Sequence, residues 1–326
     1  MVRIPLSPPY IAPRSDTNNL PLWSVMIPVY NCSEYLSDTL KSVLNNDIPE
    51  EEMQIEVIDD ASTDTNVESI VKEIGKGRIK YFRQIENVGS LRNFETCINR
   101  SHGHLVHILH GDDRVKKEYY KKVANLFQQH PNAGAIFCRF AYINEEGRHL
   151  YLNPSENNKE GILKNWLLRI AEKQRIQYAA ITVRREVYEK LGGFYGLTYA
   201  EDWEMWVRIA KHYPVAYTPQ ILAEYRKHKQ SISGNKFLKG EYLHDINSAM
   251  EIIQTYLPPS AKRRILRKSK KFYSSYALKI ANRYWHILHD KKIVHANINE
   301  GLKMQKNLSN FYKVGKIYLK MLLGWK

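Results

Sequence analysis

The chain has 326 residues, 43% hydrophobic and 25% charged, the make-up of one large globular domain or of a domain with an appendage. No run approaches the roughly 18 uninterrupted apolar residues of a membrane span, and the opening "MVRIPLSPPYIAPRSDTNNLP" has no apolar stretch of the kind a secretory leader carries. The net charge of +15 is concentrated at one end: residues 261–326 hold 17 of the 49 Lys and Arg but only two of the 34 acids, Asp290 and Glu300, leaving 32 of each sign elsewhere.

Five prolines among the first 21 residues predict an extended, weakly ordered arm over residues 1–20. From Trp23 onward, apolar runs alternate with amphipathic ones. Strands are predicted at 23–27, 55–58, 78–82, 104–109 and 133–140, and helices near 34–45, 66–74, 89–100 and 117–129. This rhythm implies an α/β fold with a mostly parallel sheet covered by helices on both faces. Cys32, Cys97 and Cys138 form no C-x-x-C pair, which fits a reduced, cytoplasmic protein without structural zinc.

In open α/β sheets, ligands bind outside the carboxyl ends of the strands. Four polar clusters fall there: "IPVYN" (27–31), "DDASTD" (59–64), "ENVGSLRN" (86–93) and "HGDD" (110–113). Turn formation or helix capping accounts for any one of them, with Asp64 as the cap of the helix that follows it, but not for four on one edge. No Gly-x-Gly-x-x-Gly follows the first strand and no Gly-x-x-x-x-Gly-Lys-Ser/Thr occurs, so nicotinamide-binding and P-loop readings are set aside. Phosphate held at this edge would draw on a divalent cation, for which Asp112 and Asp113 are the candidate ligands.

Together with "VRREVYEKLGGF" (183–194), "YAEDWEMWVRIA" (199–210) and "YRKHKQSIS" (225–233), these stretches resemble glycosyltransferase family two, whose members have the GT-A fold, over residues 22–233. The resemblance implies an inverting enzyme that moves one sugar from a nucleotide-diphosphate sugar, UDP-linked above all. The acceptor would be a hydroxyl of a saccharide or lipid-linked molecule in cell-surface polysaccharide or glycoconjugate synthesis. It implies Mn2+ or Mg2+ held by Asp112, Asp113 and His228, with Arg226, Ser231 and Ser233 supporting the diphosphate. Asp59 and Asp60 match the place where the family reads the base, Pro28 and Tyr30 the loop against base and ribose, and Asn87, Gly89 and Asn93 the lining of the nucleotide pocket. Asp202 matches the general base, with Glu201 beside it to orient the acceptor. Trp203 and Trp206 offer flat faces for sugar stacking, with a core position open for Trp206. Tyr151, Trp166 and Tyr195 join the acceptor site by residue type alone.

The sequence departs from the family where His110 and Gly111 stand in place of an aspartate, which leaves open whether Asp112 or Asp113 meets the metal. The Gln-x-x-Arg-Trp motif of processive synthases does not follow residue 202, favouring one sugar per visit. Glu201 and Asp202 are chain neighbours and do not make the separated carboxylate pair of a glycoside hydrolase. The alternatives are a catalytically inactive, sugar-nucleotide-binding scaffold and, less favoured, a nucleotidyltransferase.

The domains drawn on this basis are an arm (1–20), a catalytic domain (21–235, with a nucleotide half 21–115 and an acceptor half 116–235) and a basic helical extension (236–326). At 100° per residue, Phe311, Val314, Tyr318, Met321, Leu322 and Trp325 share one helical face and Lys313, Lys316 and Lys320 the other. Such a helix is expected to lie on the anionic inner face of the cytoplasmic membrane. The competing uses are packing on the catalytic domain and pairing of two copies. No nucleic-acid module accompanies the charge, so no nucleic-acid partner is expected.

Overall fold

The structure, a computed structural model, describes residues 2–14, 19–229, 231, 236 and 242–325. Two compact units emerge: Met1–Trp166 with Arg175–His228, and Leu167–Gln174 with Lys229–Lys326. The stretch Leu167–Gln174 falls inside the expected acceptor half of the catalytic domain yet clusters with the C-terminal helices.

The first unit opens β1 (Trp23–Val29), α1 (Ser33–Leu44), β2 (Met53–Asp59), α2 (Val67–Gly75), β3 (Lys80–Arg83), α3 (Ser90–Arg100) and β4 (Leu105–Ile108). Each lies within about two residues of its expected position, because the segments are short, strongly patterned and bounded by turn residues. β1 is buried along its whole length, as a central parallel strand must be. The α1 stripe of Tyr35, Leu36, Leu40 and Val43 is buried in turn, and Leu36, Leu40 and Val43 share one core with Val25, Ile27, Val57 and Val71. After β5 (Arg114–Val115) and α4 (Tyr119–Gln129) come β6 (Ala135–Ile143), β7 (His149–Leu152), β8 (Gly161–Ile162), α5 (Trp166–Ile170), β9 (Ile181–Arg184), α6 (Arg185–Leu191), α7 (Glu201–His212) and β10 (Val215–Arg226).

The strands form one sheet in the order β3-β2-β1-β4-β9-β6-β10-β5, with β7 on β6 and β8 on β10. β3, β2, β1 and β4 are mutually parallel. β9 runs against both β4 and β6, β10 is parallel to β6, and β5, β7 and β8 pair antiparallel with β10 or β6. The sheet is therefore mixed, with β1, β2, β3, β4, β6 and β10 sharing one direction. All these parallel strands deliver their carboxyl ends to one edge.

Residues 2–14 of the N-terminal arm are extended but not loose, which corrects the expectation from its prolines. Ile11 is fully buried. The Gly193 and Gly196 amides donate to the Pro9 and Pro5 carbonyls at 2.9 and 2.8 Å, and Arg185 donates to Ala12 O. Proline fixes the extended backbone and leaves its carbonyls free to accept.

The second unit contains α8 (Tyr242–Tyr256), α9 (Pro259–Leu288), α10 (Lys291–Met304) and α11 (Leu308–Leu322). Asp290 caps α10 by accepting from Lys292 N and Ile293 N, and Asn307 caps α11 by accepting from Asn310 N. The helical wheel of α11 needs correction. Val314 and Ile317 are buried against Leu278, Ala281 and Trp285 of α9 and Val294 and Ile298 of α10, with Met321 packed beside them. Phe311, Leu322 and Trp325 are exposed instead. Lys313 and Lys320 reach back to Ser275 and Asn282 of α9, because packing selects the narrow i, i+3, i+7 line rather than the whole apolar sector. No helix among the described residues is long and apolar enough to cross a membrane.

One core residue carries a pH signature. His107 on β4 is fully buried, stacked on Tyr119 and placed between Tyr120 OH and Ala179 O. Burial pushes its pKa down from 6.5 to about 3. The unfolded chain takes up that proton first, so the stabilisation is complete above pH 6.5 and is lost as pH falls toward 3, at about 1.4 kcal/mol per pH unit. Chemical-denaturation curves taken from pH 7 down to about pH 4 are expected to show a smaller stability loss for His107→Phe than for the parent.

Candidate active site

Backbone hydrogen bonds first bring the strand ends together. Asp60 N donates to Val29 O at 2.8 Å, Gly111 N to Pro28 O at 3.2 Å and Gln84 N to Asp59 O at 2.8 Å. Asn31 and Ser62 then join the first two loops: Asn31 N donates to Ser62 Oγ, and Thr63 N to Asn31 Oδ1 at 2.8 Å. Asp64 accepts from Ser33 N at 3.0 Å, so it caps α1. The cap of α2 is Asn66, which corrects the role expected for Asp64.

The paired aspartates point to different partners. Asp59 is fully buried and accepts from Ser62 N, Tyr81 OH and Arg83. Its oxygens are engaged in joining the turn to β3, whereas Asp60 faces the loop after β3. Asp60 accepts from Val88 N at 2.8 Å, Gly89 N at 3.0 Å and Asn87 Nδ2 at 2.9 Å. Burial nevertheless raises its pKa, against the pull of those amides and of Arg3. Gly89 sits at φ +89°, a conformation that glycine alone adopts without strain. Asn93 is buried, donating to Ile58 O and accepting from Gln84, and so anchors α3 to the end of β2. Tyr30 is half exposed beside this edge, while Pro28 is buried within β1.

The fourth loop carries the acidic cluster. Thr39 of α1 donates to Gly111 O and to Asp113 O at 2.7 Å. A Cβ on Gly111 would stand 2.9 Å from both Cys32 Sγ and Val29 Cγ2, so the close approach of loop to strand requires glycine there. Arg226 is buried. It donates through Nε to Asp112 O, through Nη1 to Asn144 O and Glu145 O, and through Nη2 to Asp38, while its backbone N donates to Asp113 Oδ1. These contacts correct the expected diphosphate role: Arg226 fixes the loop that presents Asp112 and Asp113.

His228 Nε2 lies 2.8 Å from Asp112 Oδ2. His110, Asp112 and Asp113 offer ligand atoms within 4.8 Å of one another. Asp113 Oδ2 and His110 Nε2 are buried and make no hydrogen bond among the described residues. Burial and the charge of Asp112 push the Asp113 pKa well up. Burial also opposes ionisation of Asp112, but the His228 hydrogen bond and the two imidazoles outweigh it and hold that carboxyl below its usual range. Burial lowers the His110 pKa, against the charge of Asp112. Neutral imidazole and carboxylate with unpartnered buried atoms are the donor set that suits Mn2+, and the carboxylates suit Mg2+. The residues fit a divalent cation, and His110 is a ligand candidate that the sequence reading passed over as a departure from the acidic motif.

His110 also links this cluster to the carboxylates of α7. Its ring lies between Phe94 and Tyr178, with centroids 5.3 and 4.4 Å away, and Tyr178 OH donates to Glu201 at 3.2 Å. Asp202 follows in the first turn of α7, where the helix dipole favours a carboxylate. Trp203 and Trp206, expected at the acceptor, are buried. Trp206 packs edge-on to Tyr178 and Phe194. Trp166 is buried and stacked on Phe137, so these three rings offer no open face to a sugar. Tyr151 is exposed at 46% and Tyr195 lies under Arg208. Ser231 is a half-buried bend residue, and Ser233 lies outside the described residues.

A sheet of this order, with an acidic cluster at its carboxyl edge and carboxylates at the start of a following helix, is that of the nucleotide-sugar transferases of GT-A fold. Residues 24–206 match the sequence model described as Glycosyl transferase family 2, and the chain belongs to that family. It is 32% identical over 146 residues to an uncharacterised glycosyltransferase, MG025, of Mycoplasma genitalium, covering 44% of this chain and 47% of that protein. It is 29% identical over 227 residues to TuaG of Bacillus subtilis, a putative teichuronic acid biosynthesis glycosyltransferase, covering 68% of this chain and 85% of that one. The crystal structure of S. aureus TarS 1-349 in complex with UDP-GlcNAc superposes with TM-score 0.63 at 18% identity, over 85% of this chain and 79% of that one.

Replacing Arg226 by Met removes the guanidinium from Asp38 and three loop carbonyls, although Asp38 keeps Arg114 and Asn144 O keeps Gly147 N. The expected cost is about 3 kcal/mol of stability and about tenfold in Mn2+ affinity, as for loss of an outer-shell support. Thermal unfolding and metal titration of Arg226→Met check the two effects.

Proposed function

We propose that the protein is an inverting, metal-dependent glycosyltransferase that adds one sugar per visit from a UDP-sugar to a hydroxyl of a saccharide or lipid-linked acceptor in cell-surface polysaccharide synthesis. The observation that carries the reading is the contact series from the Asp112–His228 pair through His110 and Tyr178 to Glu201. That series supports reading the acidic cluster and the helix start bearing Asp202 as parts of one site. The names of TuaG and of the UDP-GlcNAc complex of TarS support a UDP-sugar donor and a cell-wall type of acceptor.

In this reading Asp202 takes the acceptor proton as the oxygen attacks the anomeric carbon. A carboxylate is far less basic than an alkoxide, so the proton moves while the C–O bond forms. One displacement with one base gives inversion. Glu201, held by Tyr178, orients the acceptor. Asp60 with the 87–89 loop positions the base. A divalent cation held by Asp112, Asp113, His228 and His110 would offset the negative charge of the departing diphosphate. Calorimetric titration with UDP, TDP and GDP, each with and without Mn2+, is expected to show manganese-dependent binding of UDP that Asp112→Ala abolishes. Asp202→Asn should retain binding and lose about 100-fold or more in sugar transfer. A folded protein that binds none of the three nucleotides would overturn the reading.

The second unit serves this function as an attachment to anionic membrane. Leu308, Phe311, Tyr312, Leu322, Leu323 and Trp325 are exposed on a segment carrying 17 basic residues, a combination that supports interfacial binding. Sedimentation with vesicles containing anionic lipid is expected, weakened by high salt and by Phe311→Ser with Leu322→Ser, and absent with neutral vesicles.

A further inference from the structure

The N-terminal arm touches the site at two places. At its start, Arg92 Nε donates to Val2 O at 2.9 Å, and the Arg3 guanidinium donates to Asn87 Oδ1. A Cβ built on Gly89 would lie 3.2 Å from Arg3 Nε, so the guanidinium stands directly against the loop that wraps Asp60. Farther along, Pro5 and Pro9 accept from Gly196 and Gly193, in the loop leading into α7 and its carboxylates. A Cβ on Gly192 would fall 2.7 Å from Pro8 Cβ, so glycine is needed for the arm to seat there. Arg3 is exposed, whereas Arg226, the cation expected at the nucleotide, is buried and bonded to loop carbonyls and Asp38.

We infer that the arm is part of the donor site, with Arg3 a positioning and specificity residue for the nucleotide. The Asn87 side chain has two ends. Its amide nitrogen donates to Asp60 at 2.9 Å, and its oxygen accepts from Arg3. That polarity fixes which way the amide faces and sets the Asn87–Gly89 backbone whose N–H groups hold Asp60. Arg3 also brings a positive charge close to the buried Asp60 carboxylate, where an anionic nucleoside diphosphate would otherwise meet Asp60 alone. A planar guanidinium suits this place because it can bond Asn87 along one edge and present its other N–H groups or its flat face to the ligand. The inference rests on the 87–89 loop being the nucleotide loop of the proposed transferase.

The test uses the full chain and its Arg3→Ala and Arg3→Lys variants, titrated calorimetrically with UDP and with GDP in Mn2+, together with melting temperatures and amide exchange at residues 87–89. Arg3→Ala is expected to weaken UDP binding about tenfold, speed exchange at Val88 and Gly89, and leave the melting temperature unchanged, since Arg3 is exposed. Arg3→Lys is expected to recover only part of the affinity, supplying the charge without the planar fork. Equal UDP affinity in the parent and Arg3→Ala would overturn the role of Arg3 while leaving the transferase reading intact. Absence of binding by the folded parent would overturn both.

Discussion

The site depends on one buried guanidinium. Arg226 lies at the end of β10, a strand distant in sequence from the HGDD loop, and its donors meet the carbonyls of Asp112, Asn144 and Glu145 and the carboxylate of Asp38. A buried charge is tolerated only when its hydrogen bonds are met. The requirement works in both directions here: the loops must close around Arg226, and in doing so they present Asp112 and Asp113. The ring of Tyr35 under the guanidinium, 4.8 Å away, and Thr39 on the next turn of α1 complete the enclosure. Positive charge expected at the diphosphate thus acts one layer deeper, holding the acidic loop in place.

From that anchor the site extends through contacts of decreasing polarity. The Asp112–His228 pair is charge-assisted, His110 meets Phe94 and Tyr178 through ring faces, and Tyr178 returns to polarity at Glu201. An aromatic stack is a stiff spacer, with few torsions and large contact areas. It lets the carboxylates at the start of α7 be registered against the acidic loop although 87 or more residues separate them in the chain. The histidine at residue 110 stacks between Phe94 and Tyr178, which an aspartate could not do.

The arm gives the first unit a third kind of connection. Its prolines pre-set an extended backbone, so ordering it costs less entropy than ordering a flexible segment. Backbone carbonyls of Pro5 and Pro9 meet glycine amides on the loop before α7, while Val2 and Arg3 meet α3 and the loop ahead of it. One continuous strap therefore borders both the 87–89 loop and the loop leading into α7.

The local pattern of the sequence determined the alternating strands and helices up to β6, the edge on which polar loops gather, and the candidacy of Asp60, Asp112, Asp202 and His228. The elements and the edge follow from short-range periodicity and from the rule that parallel strands end together, whereas the roles of Asp60, Asp202 and His228 were implied by the resemblance to glycosyltransferase family two. Tertiary packing alone decided which of two adjacent aspartates is engaged by β3, because Tyr81 and Arg83 reach Asp59 across strands. It alone placed Trp203, Trp206 and Trp166 in the core, since an aromatic ring reads the same in a sequence whether it faces a sugar or a neighbour. It turned Val314, Ile317 and Met321 of α11 inward and left Phe311 and Leu322 outside. It also turned Arg226 from a presumed ligand of phosphate into the anchor of a loop. Residue type fixes what a side chain is able to bind; long-range closure of the chain fixes which partner arrives first.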